Sequence, residues 1–185
     1  YNEATDKTRM ALFQTMSLSY HPASSCKRKD ILNIYEALSL ENKEQFEKYW
    51  NVCVEALNIA IQRLENMRDG FGVRSEKDVP FMPALPMLAA FLVRIDDVDD
   101  DEADAQNKIK QWYWAATITT AYSQSVESQM TSDFKEVTRW FDDNDAIPSV
   151  VIKARAQLGL MNLVDVDEPS SATYRAILAL TALAG

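Results

Sequence analysis

The chain has 185 residues, 47% of them hydrophobic, with four glycines, two cysteines and a single histidine. That length suffices for one domain, or two small ones, with a sizeable core. A formal net charge of −9 argues against a general phosphate-binding surface. The acidity is concentrated: residues 96–104 hold seven of the 28 acids and no base, and outside them 21 acids stand against 19 bases.

Scarce glycine and abundant Ala, Leu, Met, Glu and Gln favour helices. A first helix is predicted from about Thr5 to Tyr20, with Met10, Phe13, Met16 and Tyr20 at helical spacing. His21-Pro22 ends it, because the residue before proline avoids helical angles. Ser24 and Ser25 open a short second helix carrying Ile31, Ile34, Tyr35 and Leu38. Ser39 caps a third helix of about 28 residues, estimated from the 3.6-residue period. Its predicted stripe is Phe46, Trp50, Cys53, Leu57, Ile61, Leu64 and Arg68, and Gly70 stops it. A loop over 71–82 leads to an apolar helix from Pro83 to Arg94.

The acidic run 96–104 reads as a solvated loop, since dense like charges resist burial. It divides an N-terminal helical subdomain, 1–95, from a C-terminal one, 105–185. The fifth helix, Ala105 to Tyr122, is apolar on two sides, with Ile109, Trp112, Tyr113 and Ala116 on one and Trp114, Ile118 and Ala121 on the other. Such a helix belongs inside a bundle. The sixth, Ser125 to Phe141, aligns Val126, Met130, Phe134, Val137 and Phe141. Pro148 and Ser149 begin a seventh helix, and Pro169 and Ser170 precede an eighth. The expected fold is all-α, with seven or eight helices in one or two packed bundles.

Little of this carries chemistry. His21, beside a proline at a helix end, cannot alone supply a triad or a histidine-bearing metal site. Starting an EF-hand loop at Asp97 or Asp99 puts Glu102 or Asp104 where glycine is needed, and Lys108 or Lys110 where glutamate is needed. No phosphate-binding glycine loop is present. Cys26 and Cys53 fit no zinc spacing and read as reduced thiols of a cytoplasmic protein. We therefore assign no catalytic residue, metal or cofactor. The longest apolar stretch, Ala84 to Val93, is half of what a membrane span needs, and the N-terminus does not read as a signal peptide. Both ends read as cut from a longer polypeptide.

Asp133 lies between Met130 and Phe134 on the sixth helix and is expected to accept a hydrogen bond from Tyr122 or from an indole of the fifth helix. Among the bases, Lys108 and Lys110 open the fifth helix, and Lys135 and Arg139 share a face of the sixth. These four are the candidate contacts to DNA or a partner. The neighbouring acids would make DNA binding weak and salt-sensitive.

Several stretches combine into a recognisable series. Lys108-Ile109-Lys110-Gln111-Trp112-Tyr113-Trp114 is followed by Tyr122-Ser123, then by Asp133 and Trp140-Phe141. Val79-Pro80-Phe81 precedes it and Tyr174-Arg175-Ala176-Ile177-Leu178 follows. The series resembles the helical region of the GmrSD-type restriction endonuclease family, domain of unknown function 262, over about residues 75–185 and in layout over 1–74. The resemblance implies structural roles for Trp112, Trp114, Tyr122, Asp133 and Trp140. Family members begin with a ParB-like nuclease domain bearing Asp-Gly-Gln-Gln-Arg, and many end with an HNH nuclease domain. This chain contains neither, so no catalytic residue carries over. The implied role is a non-catalytic helical module of a larger nucleotide-dependent endonuclease acting on modified or foreign DNA. Its partners would be the rest of that polypeptide, with DNA and a second copy as further candidates and no membrane. The alternative is an independent helical protein–protein interaction module.

Overall fold

A computed structural model describes residues 3–38, 43–66, 70–73, 79–95 and 102–158. Among them are eight helices and no strand: α1 (Glu3–Tyr20), α2 (Arg28–Leu32), α3 (Ile34–Ala37), α4 (Lys43–Glu65), α5 (Ala84–Ile95), α6 (Glu102–Ile118), α7 (Val126–Asp142) and α8 (Ser149–Leu158). The all-α expectation holds. The Ser39 cap, Arg68, residues 96–101 and the helix beyond Pro169 and Ser170 lie outside the described residues.

The central element is α5. Its sequence is apolar on every face, and all its residues except Leu85 and Arg94 are buried, which is the pattern of a helix surrounded by others. It packs against α1 and α4 and also against α6 and α7. Buried side chains from both predicted segments form one cluster around it. Pro86 sits in its first turn, where the missing N–H costs no helical bond. The Pro86 carbonyl accepts from the buried Thr15 hydroxyl of α1 at 3.3 Å.

Several boundaries differ from expectation, each for a local reason. The second helix is two short ones, α2 and α3, beginning at Arg28 rather than at the serines. Ser24 adopts a positive φ of 44°, and the Ser25 hydroxyl donates to Asp30 at 2.6 Å. On the predicted stripe of α4, Ile61 is exposed, while Cys53, Leu57 and Leu64 are buried. The helix ends at Glu65, short of Gly70. The chain then turns back, so that the N–H groups of Phe71 and Val73 bond the carbonyls of Arg63 and Leu64 at 3.0 and 2.8 Å. Gly70 is required because a Cβ there would collide with the carbonyl oxygens of Arg63 and Asn66.

The acidic run is not loop to its end, since Glu102, Ala103 and Asp104 form the first turn of α6. Carboxylates are favoured at a helix N-terminus. The same helix stops at Ile118 instead of Tyr122. The Thr117 and Thr119 hydroxyls bond back to the carbonyls of Tyr113 and Ala115, and Thr120 takes a positive φ of 49°. The resulting turn swings Tyr122 back into the core.

Candidate functional site

Asp133 projects from α7 toward α6 and is fully buried. Its Oδ2 accepts from Trp112 Nε1 at 3.1 Å and from Tyr122 Oη at 2.7 Å. Its Oδ1 accepts from Gln129 Nε2, one turn earlier on α7, at 2.6 Å. One carboxylate thus ties α6, the α6–α7 connection and α7 together, using both of the donors expected of it and a third that was not foreseen. The spacing of Gln129 and Asp133, four apart on one helix face, could have signalled it. Burial raises the Asp133 carboxyl above its ordinary value, against the pull of the Tyr122, Trp112 and Gln129 donors. Tyr122 is also raised, first by burial and then by the Asp133 charge.

Aromatic rings close this hub. Phe81 stacks on Tyr122 at 4.9 Å and meets Trp112 edge-on at 5.8 Å. Phe91 of α5 meets Trp112 edge-on at 4.9 Å and stacks on Phe134 at 5.6 Å. Phe81 comes from the Val-Pro-Phe stretch of the sequence series. Trp140 is buried and Trp114 half-buried, with Trp114 edge-on to Tyr113 at 5.1 Å. These rings fill the core and present no open stacking platform.

The four candidate bases do not converge. Lys108 is buried, contrary to its expected role as a DNA contact. Its Nζ donates to the Trp140 carbonyl at 2.7 Å, pairs with Asp104 at 2.6 Å, and lies 5.7 Å from the centre of the Trp140 ring. It is a bolt between α6 and α7. The apolar stem of lysine lets the helix pack while its head finds the last carbonyls of α7, where a cation is favoured. Lys110, two residues on, points to a different side of α6 and is half-buried. It lines a small cavity of about 300 Å³ with Arg63, Phe71, Leu88 and Gln106. Lys135 and Arg139 are exposed.

A larger, apolar groove of about 790 Å³ lies beside Tyr122. Ala11, Leu64, Val73 and Ala116 contribute buried side chains to it. Met10, Ile61, Met82 and Val126, all among the exposed large hydrophobics, also line it. Sequence reading did not find the groove, because its wall is assembled from α1, α4, α5, α6, α7 and two connections.

The thiols are withdrawn from chemistry. Burial pushes Cys26 up to about 11 and Cys53 up to about 12, far from a reactive thiolate. Among the described residues, no group of three His, Cys, Asp or Glu side chains is arranged to hold a metal ion. Among them, too, no helix is long and apolar enough to cross a membrane.

No protein-family model matches the chain, and no solved structure matches it. An uncharacterized protein of Methanocaldococcus jannaschii is 30% identical over 179 residues. The match takes in 95% of this chain but 29% of that relative, so the chain spans less than a third of the relative's length.

Proposed function

We propose that the chain is a non-catalytic helical module of a larger cytoplasmic restriction-type endonuclease, serving as its scaffold. The observation that carries this reading is the convergence of Trp112, Tyr122 and Asp133, three residues of the recognised series, on one buried set of hydrogen bonds. Their meeting in the core supports the structural roles that the resemblance implies for them. The relative of more than three times the chain's matched extent supports a place within a longer polypeptide. Of the four candidate bases, Lys135 and Arg139 are the two left exposed for a DNA contact, since Lys108 is spent on α7 and Lys110 faces elsewhere.

The test is made on the full polypeptide that contains this chain, assayed with nucleotides and magnesium or manganese on plain and modified DNA. The expected result is cleavage by the full polypeptide and its loss on Asp133→Ala, with no cleavage by the 185-residue chain alone. A full polypeptide that cleaves no DNA, or a chain that cleaves DNA by itself and loses this on mutation of one of its own carboxylates, would overturn the proposal.

A further inference from the structure

The return of residues 70–73 onto the end of α4 helps to enclose the smaller cavity, of about 300 Å³. Phe71, Leu88 and Ile109, all buried, are among its apolar walls. Its charged groups are of one sign. Arg63 of α4 and Lys110 of α6 bring two cations, and no carboxylate stands among the described residues that line it. The half-buried Lys110 has no hydrogen bond or ion pair to a described residue. Lys108, on the same helix, has the Asp104 carboxylate and the Trp140 carbonyl.

Gln106 stands one turn before Lys110 on the same face of α6 and lines the cavity with it. Its Oε1 accepts from Arg63 Nη1, which ties the guanidinium to this wall. Its Nε2 is buried and has no acceptor among the described residues. A buried donor left in this way is costly and calls for a partner.

Size decides between a water and a larger ligand. One water takes about 30 Å³ in the liquid, so the cavity has room for roughly ten, and a single bridging water would leave it mostly empty. Its volume falls at the lower end of the range for pockets that take organic ligands. Exposed Asn66 and half-buried Lys110 both line it, so it is reached from solvent. Two cations without a carboxylate favour an anion. The apolar walls favour one with an organic body, because an inorganic anion would lose hydration against them without compensation.

We propose that this cavity binds a small organic carboxylate. Its apolar body lies against Phe71, Leu88 and Ile109, its charged end is met by Lys110 and Arg63, and the Gln106 amide is a further donor. The site does not depend on the nuclease reading, because it needs only the cavity and the side chains that line it.

The test is an NMR titration of the whole 185-residue chain, labelled with nitrogen-15, using benzoate, uncharged benzamide and inorganic phosphate. Benzoate is expected to move the side-chain amide signals of Gln106 and the backbone signals of Phe71 and Lys110. Benzamide and phosphate should each bind at least about tenfold more weakly. Lys110→Met should weaken benzoate by about tenfold, the worth of one charge-assisted hydrogen bond, while Lys110→Arg keeps most of the binding. Benzoate that leaves these signals in place would overturn the proposal. So would benzamide or phosphate binding as well as benzoate, or undiminished binding in Lys110→Met. The three-probe comparison uses the wild-type chain, so it stands even where a variant fails to fold.

Discussion

Two charged side chains are buried in the contact between α6 and α7, and they are accommodated differently. Asp133 has three neutral donors from Trp112, Tyr122 and Gln129 and is enclosed by aromatic rings. Lys108 has a backbone carbonyl, an aromatic face and the half-exposed Asp104 carboxylate. The anion is held by groups fixed deep in the core, while the cation rests at a helix end with a counter-ion that still meets water. Short aspartate must have its partners brought to it. Long lysine can carry its head to a place where partners already exist.

The largest effect is expected at Asp133. Asp133→Ala strands two buried donors, on Trp112 and Tyr122, and the half-buried Gln129 amide, and should destabilise the fold by about 3 kcal/mol, measured by urea titration. Asp133→Asn should cost less than half as much, because Gln129 can turn its amide and offer its oxygen to the new NH₂ group. Equal losses for the two variants would show that the Asp133 charge matters more than its hydrogen-bond geometry. The pH dependence sharpens this. The folded-state pKa of Asp133 is raised, so its contribution is fully present below the unfolded pKa and is lost as pH rises through the folded one. The stability of the wild type minus that of Asp133→Asn should therefore decline as pH rises through the acid range. A difference independent of pH would sink this account of the buried carboxyl.

Next comes Lys108. Lys108→Ala leaves the Trp140 carbonyl without its charged donor and should cost about 2 kcal/mol. Lys108→Met keeps the apolar stem and should cost less than the alanine variant. A full wild-type midpoint for Lys108→Ala would return this residue to the surface role first expected of it.

Glu136 offers a milder contrast on the same helix. Burial pushes its carboxyl up, but the Ser149 N–H at 2.6 Å, the Ser149 and Ser132 hydroxyls and the Lys153 charge outweigh it, leaving Glu136 below its ordinary value. It caps the first turn of α8 from outside. Glu136→Gln should cost about 1 kcal/mol at neutral pH. Because the folded pKa is depressed, the contribution is present above the unfolded pKa and lost as pH falls through the folded one. This is the reverse of the Asp133 trend, and parallel pH profiles for the two sites would contradict both assignments.

The smallest effect on stability belongs to Lys135→Glu/Arg139→Glu, within about 0.5 kcal/mol for exposed positions. Fluorescence anisotropy with duplex DNA at low salt should show weaker binding than wild type. Equal binding would remove DNA contact from the proposed role.

The sequence by itself determined the helices and the identity of the buried acid. Apolar residues at helical spacing locate α1, α4, α6 and α7, and an aspartate between Met130 and Phe134 on such a helix has to face the core. Both follow from the 3.6-residue period, which is local. Helix ends were less legible, because the stops at Glu65 and Ile118 depend on where the chain turns next: the return of 70–73 onto α4, and the positive φ of Thr120. Tertiary structure alone decided the burial of Lys108: Asp104 is its i,i+4 neighbour on α6, as periodicity would place it, but periodicity cannot show that the end of α7 meets the lysine there. It alone made the groove, whose lining residues come from segments far apart in sequence. A helical period reports which residues share a side of one element, whereas a cavity and a buried cation are properties of how several elements meet.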